Sequence, residues 1–86
     1  MHYRNRIEIV SAILEAAANN DIGNLGTTKT RIRYKAFLGY TQLREYVEML
    51  VENDLLVCNI DSQTFNVTEK GHNFLQTYNQ IEEPMV

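Results

Sequence analysis

Basic side chains are the residues of this chain whose spacing most clearly suggests a chemistry. Between residues 22 and 46, five cations accompany a single anion, Glu45, so this segment carries a charge of +4. The other three cations and ten anions give the remainder a charge of −7, and the whole chain −3. Clustered lysine and arginine side chains bind phosphates, and a solvated helix face is the alternative explanation of such a cluster. The five cations are Lys29, Arg31, Arg33, Lys35 and Arg44.

A second pattern, G-N-L-G-T-T-K-T from Gly23 to Thr30, has the spacing of a nucleotide-binding phosphate loop. Thr28 replaces the glycine before Lys29, and an amphipathic helix precedes the loop where a strand is required. We therefore do not expect nucleotide hydrolysis, although the backbone amides and Lys29 could meet a DNA phosphate.

Other patterns for catalysis or metal binding are weak. The lone Cys58 cannot form an internal disulfide, and its predicted strand favours a small buried core residue over a nucleophile. His2 and His72 are remote from each other and lack metal-ligand spacing. The acids are scattered over helix faces and a turn. We therefore expect no catalytic residue, no metal and no cofactor, and a protein that is not an enzyme.

Size and composition favour one soluble domain. A chain of 86 residues buries only about 60% of the surface that its unfolded state exposes, which leaves little room for a large substrate pocket. Its 44% hydrophobic and 22% charged residues are typical of globular domains. No apolar run approaches the roughly 20 residues that cross a bilayer, and the N-terminus lacks the apolar segment of a secretory signal. We therefore expect a cytoplasmic, nucleoid-associated protein.

The first element that must position the cations is an amphipathic helix predicted from Arg6 to Ala18. Asn5 and Glu8 have the spacing of a capping box at its start. A loop containing Gly26 follows, with a short extended piece around Leu25. The inward stripe of this helix is predicted to comprise Ile7, Val10, Ile13, Leu14 and Ala17.

Two further helices are predicted on either side of a tight turn. The second helix extends from Thr28 to Leu38, and Gly39 interrupts it. Gly39 can also serve as the N-cap of the third helix, whose third residue is Gln42. Two helices separated by a short glycine turn form a helix-turn-helix pattern. The predicted inward residues are Ile32, Ala36 and Leu38 in the second helix, and Leu43, Tyr46, Val47, Leu50 and Val51 in the third.

The last third of the chain predicts a hairpin and then a helix. Strands at Leu55–Ile60 and Thr64–Val67 flank a turn at Asp61–Gln63. A last helix opens at Thr68 and ends before Pro84. The fold class is therefore mainly helical α+β: a winged helix with a three-helix core, a hairpin wing and a C-terminal helix. We expect a single domain over residues 1–83 and a tail at 84–86.

Several stretches resemble the small archaeal winged helix-turn-helix proteins described as predicted transcriptional regulators. The resemblance covers nearly the whole chain, and V-T-E-K-G is its least specific part. It implies DNA binding, usually as a homodimer joined through the last helix. This chain departs from the family in having Gly39 where relatives tend to have serine, and in a short last helix, which argues against a long coiled coil. The matching stretches are T-K-T-R-I-R-Y-K-A-F-L at Thr28–Leu38, Y-T-Q-L at Tyr40–Leu43, N-D-L-L ending at Leu56, and V-T-E-K-G at Val67–Gly71.

Helix-turn-helix docking assigns roles to the two helices. The start of the third helix enters the major groove, while the second helix lies over the phosphates. The Gln42 amide can pair with adenine and the Arg44 guanidinium with guanine. For Tyr40, partial burial in the domain is the alternative to a base contact. The predicted base-contacting residues are Tyr40, Thr41, Gln42, Arg44 and Glu45. The predicted phosphate-contacting residues are Lys29, Thr30, Arg31, Arg33 and Lys35.

Two features limit this assignment. The wing tip, with Ser62 and Gln63, lacks any lysine or arginine and is either a weak DNA contact or merely a turn. Glu45, Glu48 and Glu52 form an acidic row that would repel phosphate, so only the first turn of the third helix should insert. The alternative role of this row is protein binding, in a winged-helix interaction module of a larger complex.

The last helix leaves a question of assembly. Phe74, Tyr78 and Ile81 either cover the domain's own core or meet the same helix of a second copy. A dimer would pair two recognition helices and double the phosphate contacts. The sequence therefore predicts sequence-specific or semi-specific binding of double-stranded DNA by a homodimeric transcriptional regulator.

Overall fold

The computed structural model describes residues 5–19 and 25–82, with residues 79–82 described by their backbone alone. The order of elements follows the predicted one, with one added short strand. These elements are α1 (Arg6–Asn19), β1 (Thr27–Thr28), α2 (Lys29–Ala36), α3 (Tyr40–Glu52), β2 (Leu56–Asn59), β3 (Thr64–Val67) and α4 (Glu69–Glu82). The winged-helix fold class is confirmed.

Helix α1 begins at the predicted capping box. The backbone N–H of Glu8 donates to Asn5 Oδ1 at 2.8 Å, and the N–H of Asn5 donates to Glu8 Oε1 at 3.1 Å. The predicted inward stripe is wrong at one position, because Ile7 is 55% exposed while Ile9 is buried. Helices α2, α3 and α4 and strand β3 all contact α1. The buried arc of α1 is therefore wider than one stripe, and Ile7 in its first turn lies at the edge of the core.

Strand β1 lies two residues beyond the extended piece expected around Leu25. Gly26 adopts a left-handed φ of 88° and turns the chain, and Thr27 then pairs with Phe65 of β3. The buried hydroxyl of Thr27 donates to the carbonyl oxygen of Ala17 at 2.8 Å. This bond ties the strand to the end of α1. The sheet order is β1-β3-β2, and both pairs of strands are antiparallel.

Cys58 corrects a prediction, because it is exposed and not part of the core. In β2 only Leu56 is buried, and the residues after it are exposed. The strand lies at an edge of the sheet, and the residues from Val57 to Gln63 are all exposed. A run of apolar residues therefore indicated the strand correctly but not its burial.

The core lies between the helices and one face of the sheet. Its most completely buried large apolar side chains come from α1, α2, α3 and β2. Leu75 of α4 and Phe65 of β3 close the remaining sides. The largest fully buried aliphatic side chains among the described residues are Ile13, Leu14, Ile32, Leu43, Leu50 and Leu56.

Candidate nucleic-acid interface

Helix α2 begins one residue later than predicted, because Thr28 is its N-cap. Thr28 is extended, with φ −74° and ψ 156°, and its Oγ1 accepts the backbone N–H of Arg31 at 3.2 Å. Ile32 and Ala36 are buried against the core, as the sequence predicts. This cap and these two apolar anchors fix how α2 presents its other side chains.

The end of α2 is made by Phe37 and not by Gly39. Phe37 is in the left-handed conformation, with φ 57° and ψ 50°, and its backbone N–H donates to the carbonyl oxygen of Arg33. The N–H of Leu38 donates to the same oxygen at 3.2 Å. Left-handed backbone is unfavourable for a residue with a Cβ, so propensity alone would not place the stop at phenylalanine.

Gly39 is the N-cap of α3, as predicted. Its backbone is extended, with φ −73° and ψ 161°, and its carbonyl oxygen accepts the N–H of Leu43 at 2.9 Å. Leu38 and Leu43 on either side are buried. The turn between α2 and α3 is thus anchored at both ends, and the first turn of α3 has a defined direction.

The predicted phosphate-contacting residues are all exposed. Within the part of the chain that the structure describes, none of the five basic side chains on α2 and α3 forms a hydrogen bond or an ion pair with another residue. Their charges are therefore available to an external anion. The exposed set on α2 comprises Lys29, Thr30, Arg31, Arg33 and Lys35.

The predicted base-contacting residues lie at the start of α3, and all of them are exposed. Tyr40 is 64% exposed, so the alternative of partial burial is wrong for this ring. Leu43 and Val47 face the core and Tyr46 packs partly against it, whereas Arg44 and Glu45 between them are exposed. The turn at residues 37–39 joins this set directly to the basic helix α2. The exposed set on α3 comprises Tyr40, Thr41, Gln42, Arg44 and Glu45.

The acidic row on α3 is also exposed. Glu45, Glu48 and Glu52 are spaced by three and four residues, so they follow one face of the helix toward its C-terminus. Arg44 therefore has negative charge on its C-terminal side and positive charge on its N-terminal side. Among the exposed charges of α2 and α3, the cations lie on α2 and near the start of α3, and the carboxylates of Glu48 and Glu52 lie farther toward the C-terminus of α3.

The wing tip has the geometry of a plain turn. Ser62 and Gln63 are exposed, Gln63 has a left-handed φ of 55°, and Ser62 Oγ lies 2.7 Å from Thr64 Oγ1. Ile60 at the end of β2 is 83% exposed. With no lysine or arginine between Leu56 and Val67, the wing adds no cation to the interface.

In α4, the helix predicted to form the dimer, the structure describes the side chains only as far as Tyr78. Phe74 is partly buried and packs against the core of its own domain, and Tyr78 is also partly buried. The side chain of Ile81 lies outside the described residues. Phe74 also lines an apolar groove with Ile7 and Leu55, between α1, α3 and α4.

Two aromatic residues of this region were missed as site candidates. Tyr34 is 78% exposed and Phe37 is 86% exposed. The signal for Tyr34 was its place midway between the inward residues Ile32 and Ala36, which puts it on the opposite side of the helix. No comparable signal existed for Phe37, because its exposure depends on the left-handed turn.

Within residues 5–19 and 25–82, no helix combines the length and the apolarity needed to cross a membrane. In that same part of the chain, no three His, Cys, Asp or Glu side chains are grouped to hold a metal ion.

Comparisons with known proteins agree with this geometry. A model of the winged helix-turn-helix family matches residues 3–85. No curated protein sequence matches the chain. Among solved structures, the fold is similar to that of Sso10a-2, a DNA-binding protein from Sulfolobus solfataricus, with a TM-score of 0.75 and 22% identity. That match covers 91% of this chain and 78% of the other. The resemblance to winged-helix proteins is thereby confirmed.

Proposed function

Because the chain belongs to the winged helix-turn-helix family, we propose that it binds double-stranded DNA as a transcriptional regulator. The first turn of α3 enters the major groove, and α2 lies over the phosphates. The observation that carries this proposal is the set of five exposed cations on these two helices, which have no partner among the described residues. Sso10a-2, whose fold is similar, is described as a DNA-binding protein, which supports the same function. No catalytic activity is proposed.

The phosphate contacts should make binding strongly dependent on salt. Each neutralised phosphate contributes about −0.9 to the slope of log K against log salt concentration. With the four α2 cations each neutralising one phosphate, a slope of about −4 is expected for one protomer. Removing one phosphate contact should reduce the slope by about 1 and weaken all duplexes equally.

The base contacts should discriminate among sequences. Gln42 and Arg44 lie near the start of α3, and the amide of Gln42 can pair with adenine and the guanidinium of Arg44 with guanine. Because Glu48 and Glu52 follow on the same helix, deeper insertion would bring carboxylates against phosphates. Specificity therefore rests on few residues, and semi-specific binding is the expected result.

Two copies acting together would strengthen a site with so few cations. We propose a homodimer joined through α4, in which Phe74, Tyr78 and Ile81 meet the partner helix, with the apolar groove beside Phe74 as part of the contact. Analytical ultracentrifugation of wild type and Ile81→Asp tests this arrangement. A dimer that becomes monomeric in the variant supports it, whereas a monomeric wild type or an unchanged dimer contradicts it.

Fluorescence anisotropy of a labelled duplex at several salt concentrations tests DNA binding. Arg33→Ala should weaken binding to every duplex and lower the salt slope, and Arg44→Ala should also relax sequence preference. Lys70→Ala is the charge control, because it removes one cation at the start of α4, away from α2 and α3, where the Lys70 ammonium donates to the carbonyl oxygen of Asn53 at 3.0 Å. Lys70 also lines the groove proposed for the dimer contact, so ultracentrifugation of this variant verifies that its oligomeric state is that of wild type. Equal losses in all three variants would indicate a general charge effect and contradict the assigned surface.

The alternative function is a protein interaction module. The observation that favours it is the exposed acidic row of Glu45, Glu48 and Glu52. If the protein binds no duplex even at low salt, protein interaction becomes the favoured function. Capture of a basic partner protein that is lost in Glu48→Gln would then support it.

A further inference from the structure

Two aromatic rings lie exposed on the basic helix and are unexplained by duplex binding. Tyr34 is 78% exposed and Phe37 is 86% exposed, although aromatic side chains contribute most to stability when they are buried. Arg33 and Lys35 flank Tyr34 in the sequence. An intact duplex presents phosphates and groove edges but keeps the faces of its bases stacked inside. Phosphate binding therefore accounts for the cations and leaves the rings without a role.

The geometry brings these rings and cations onto one surface. On α2, Ile32 and Ala36 are buried, so Tyr34 between them faces away from the core. Phe37 leaves the helix in the left-handed conformation and lines the same open concavity as Tyr34. We name this concavity the aromatic-basic surface. It is lined by Thr30, Arg33, Tyr34, Lys35, Phe37 and Leu38.

We propose that the aromatic-basic surface binds single-stranded nucleic acid. Unpaired bases stack on Tyr34 and Phe37, while Arg33 and Lys35 bind the adjoining phosphates. Proteins that bind single strands combine these two features, a cationic groove and aromatic faces, and such stacking tolerates any base sequence. DNA and RNA offer the same stacking and phosphate chemistry. This activity goes beyond duplex binding and does not require Gln42.

Charge complementarity favours this occupant over a second copy of the chain. In a two-fold symmetric contact the same patch faces itself, so Arg33 and Lys35 would approach their own counterparts. Like charges brought together at an interface are unfavourable, whereas a polyanionic strand neutralises them. An apolar contact with an uncharged surface would also leave both cations without partners.

The test compares labelled oligo(dT) with an abasic strand of the same length, about 16 nucleotides, in anisotropy titrations of the full chain. The two strands carry the same phosphates and differ only in their bases. Wild type should bind oligo(dT) more tightly. Tyr34→Ala and Phe37→Asn should each lower that affinity about 5- to 100-fold and leave the abasic strand unaffected. Asparagine is chosen at position 37 because it tolerates the left-handed backbone.

Matched variants separate stacking from charge. Tyr34→Phe keeps the ring and should retain oligo(dT) binding, whereas Arg33→Ala should weaken oligo(dT) and the abasic strand alike. A parallel titration with oligo(U) decides between DNA and RNA as the preferred strand. Thermal melting followed by circular dichroism verifies that each variant is folded. Because both rings are exposed, we expect the variants to fold like wild type.

Several outcomes would overturn the proposal. One is equal affinity of wild type for oligo(dT) and the abasic strand. Another is unchanged oligo(dT) affinity in both Tyr34→Ala and Phe37→Asn. Self-association that both substitutions abolish would assign the rings to a protein contact. Duplex binding is tested independently, since Arg44→Ala should weaken duplex binding while Tyr34→Ala should not, so either function can fail alone.

Discussion

Replacing Gly39 with serine should stabilise the N-terminus of helix α3. Gly39 is the N-cap of α3, has the extended backbone that serine prefers there, and makes no side-chain hydrogen bond to the helix. A Cβ atom added at Gly39 meets nothing within 4 Å, so the substitution introduces no clash. The new hydroxyl would accept the free backbone N–H of Gln42, whose side chain can reach back to the N–H of residue 39 as in a capping box.

The magnitude follows from the energies of N-caps. Serine exceeds glycine at this position by a few tenths of a kcal/mol and exceeds alanine by about 1 kcal/mol. For a domain of this size, about 1 kcal/mol shifts the melting temperature by roughly 4–8 °C. We therefore expect Gly39→Ser to raise the melting temperature by about 2 °C and Gly39→Ala to lower it by a similar or larger amount.

Thermal and urea unfolding followed by circular dichroism measure this order of stability. Gly39→Ala is the matched control, because it adds the same Cβ without the hydroxyl. The difference between the serine and alanine variants isolates the hydrogen bond to the helix. If the two variants are equally stable, or if serine is the less stable, residue 39 is not the N-cap and the described start of α3 is wrong.

Three further outcomes test the packing that supports the interface. Gly71→Ala would press a Cβ atom against the carbonyl oxygen of Leu55, so a loss of about 2 kcal/mol or more in urea unfolding is expected; wild-type stability would contradict that packing. Thr27→Val removes the hydrogen bond to the carbonyl of Ala17 and should cost about 1–2 kcal/mol by the same assay, and an unchanged midpoint would refute that bond. Cys58 is exposed, so a thiol reagent should modify it nearly as fast in native as in unfolded protein, and strong protection would place it in the core.

The order of the elements could be predicted because local signals agree with tertiary packing. Asn5 and Glu8 form the capping box that their spacing suggested, and Thr28 and Gly39 cap the two helices of the turn. Hydrophobic periodicity located α3 and its buried face. It failed for Ile7, because this residue lies in the first turn of α1 at the edge of the core, which the spacing of apolar residues does not reveal.

Burial on the sheet was harder to predict. The run from Leu55 to Ile60 contains enough apolar residues for a buried strand, yet Val57 and Ile60 are 52% and 83% exposed. A strand of a hairpin can project beyond the layer of helices that would cover it, and nothing in its own sequence records where that layer ends. The same reason accounts for the exposure of Cys58.

In the candidate site, the cations could be predicted from the sequence more readily than the aromatic rings. Lys and Arg side chains are solvated wherever a helix presents them, so the cations of α2 could be located from the sequence alone. Of the two exposed rings, only that of Tyr34 had such a signal, because it lies between the inward residues Ile32 and Ala36. Phe37 in particular is exposed by a backbone conformation that glycine or asparagine would have signalled and phenylalanine does not.

The net charge of −3 gives a misleading view of the partner, and the placement of charge explains why. Counterion release depends on the cations that meet phosphate and not on the total. The interface gathers five cations on α2 and the start of α3, while Glu48 and Glu52 lie farther along α3. Because Arg44 and these two glutamates lie on the same helix, the glutamates limit how far along α3 a polyanion could dock. Under the proposed function, a strand or duplex that tilted toward the C-terminus of α3 would lose attraction and gain repulsion, so the acidic row would favour contact with α2 and the exposed aromatic rings of Tyr34 and Phe37.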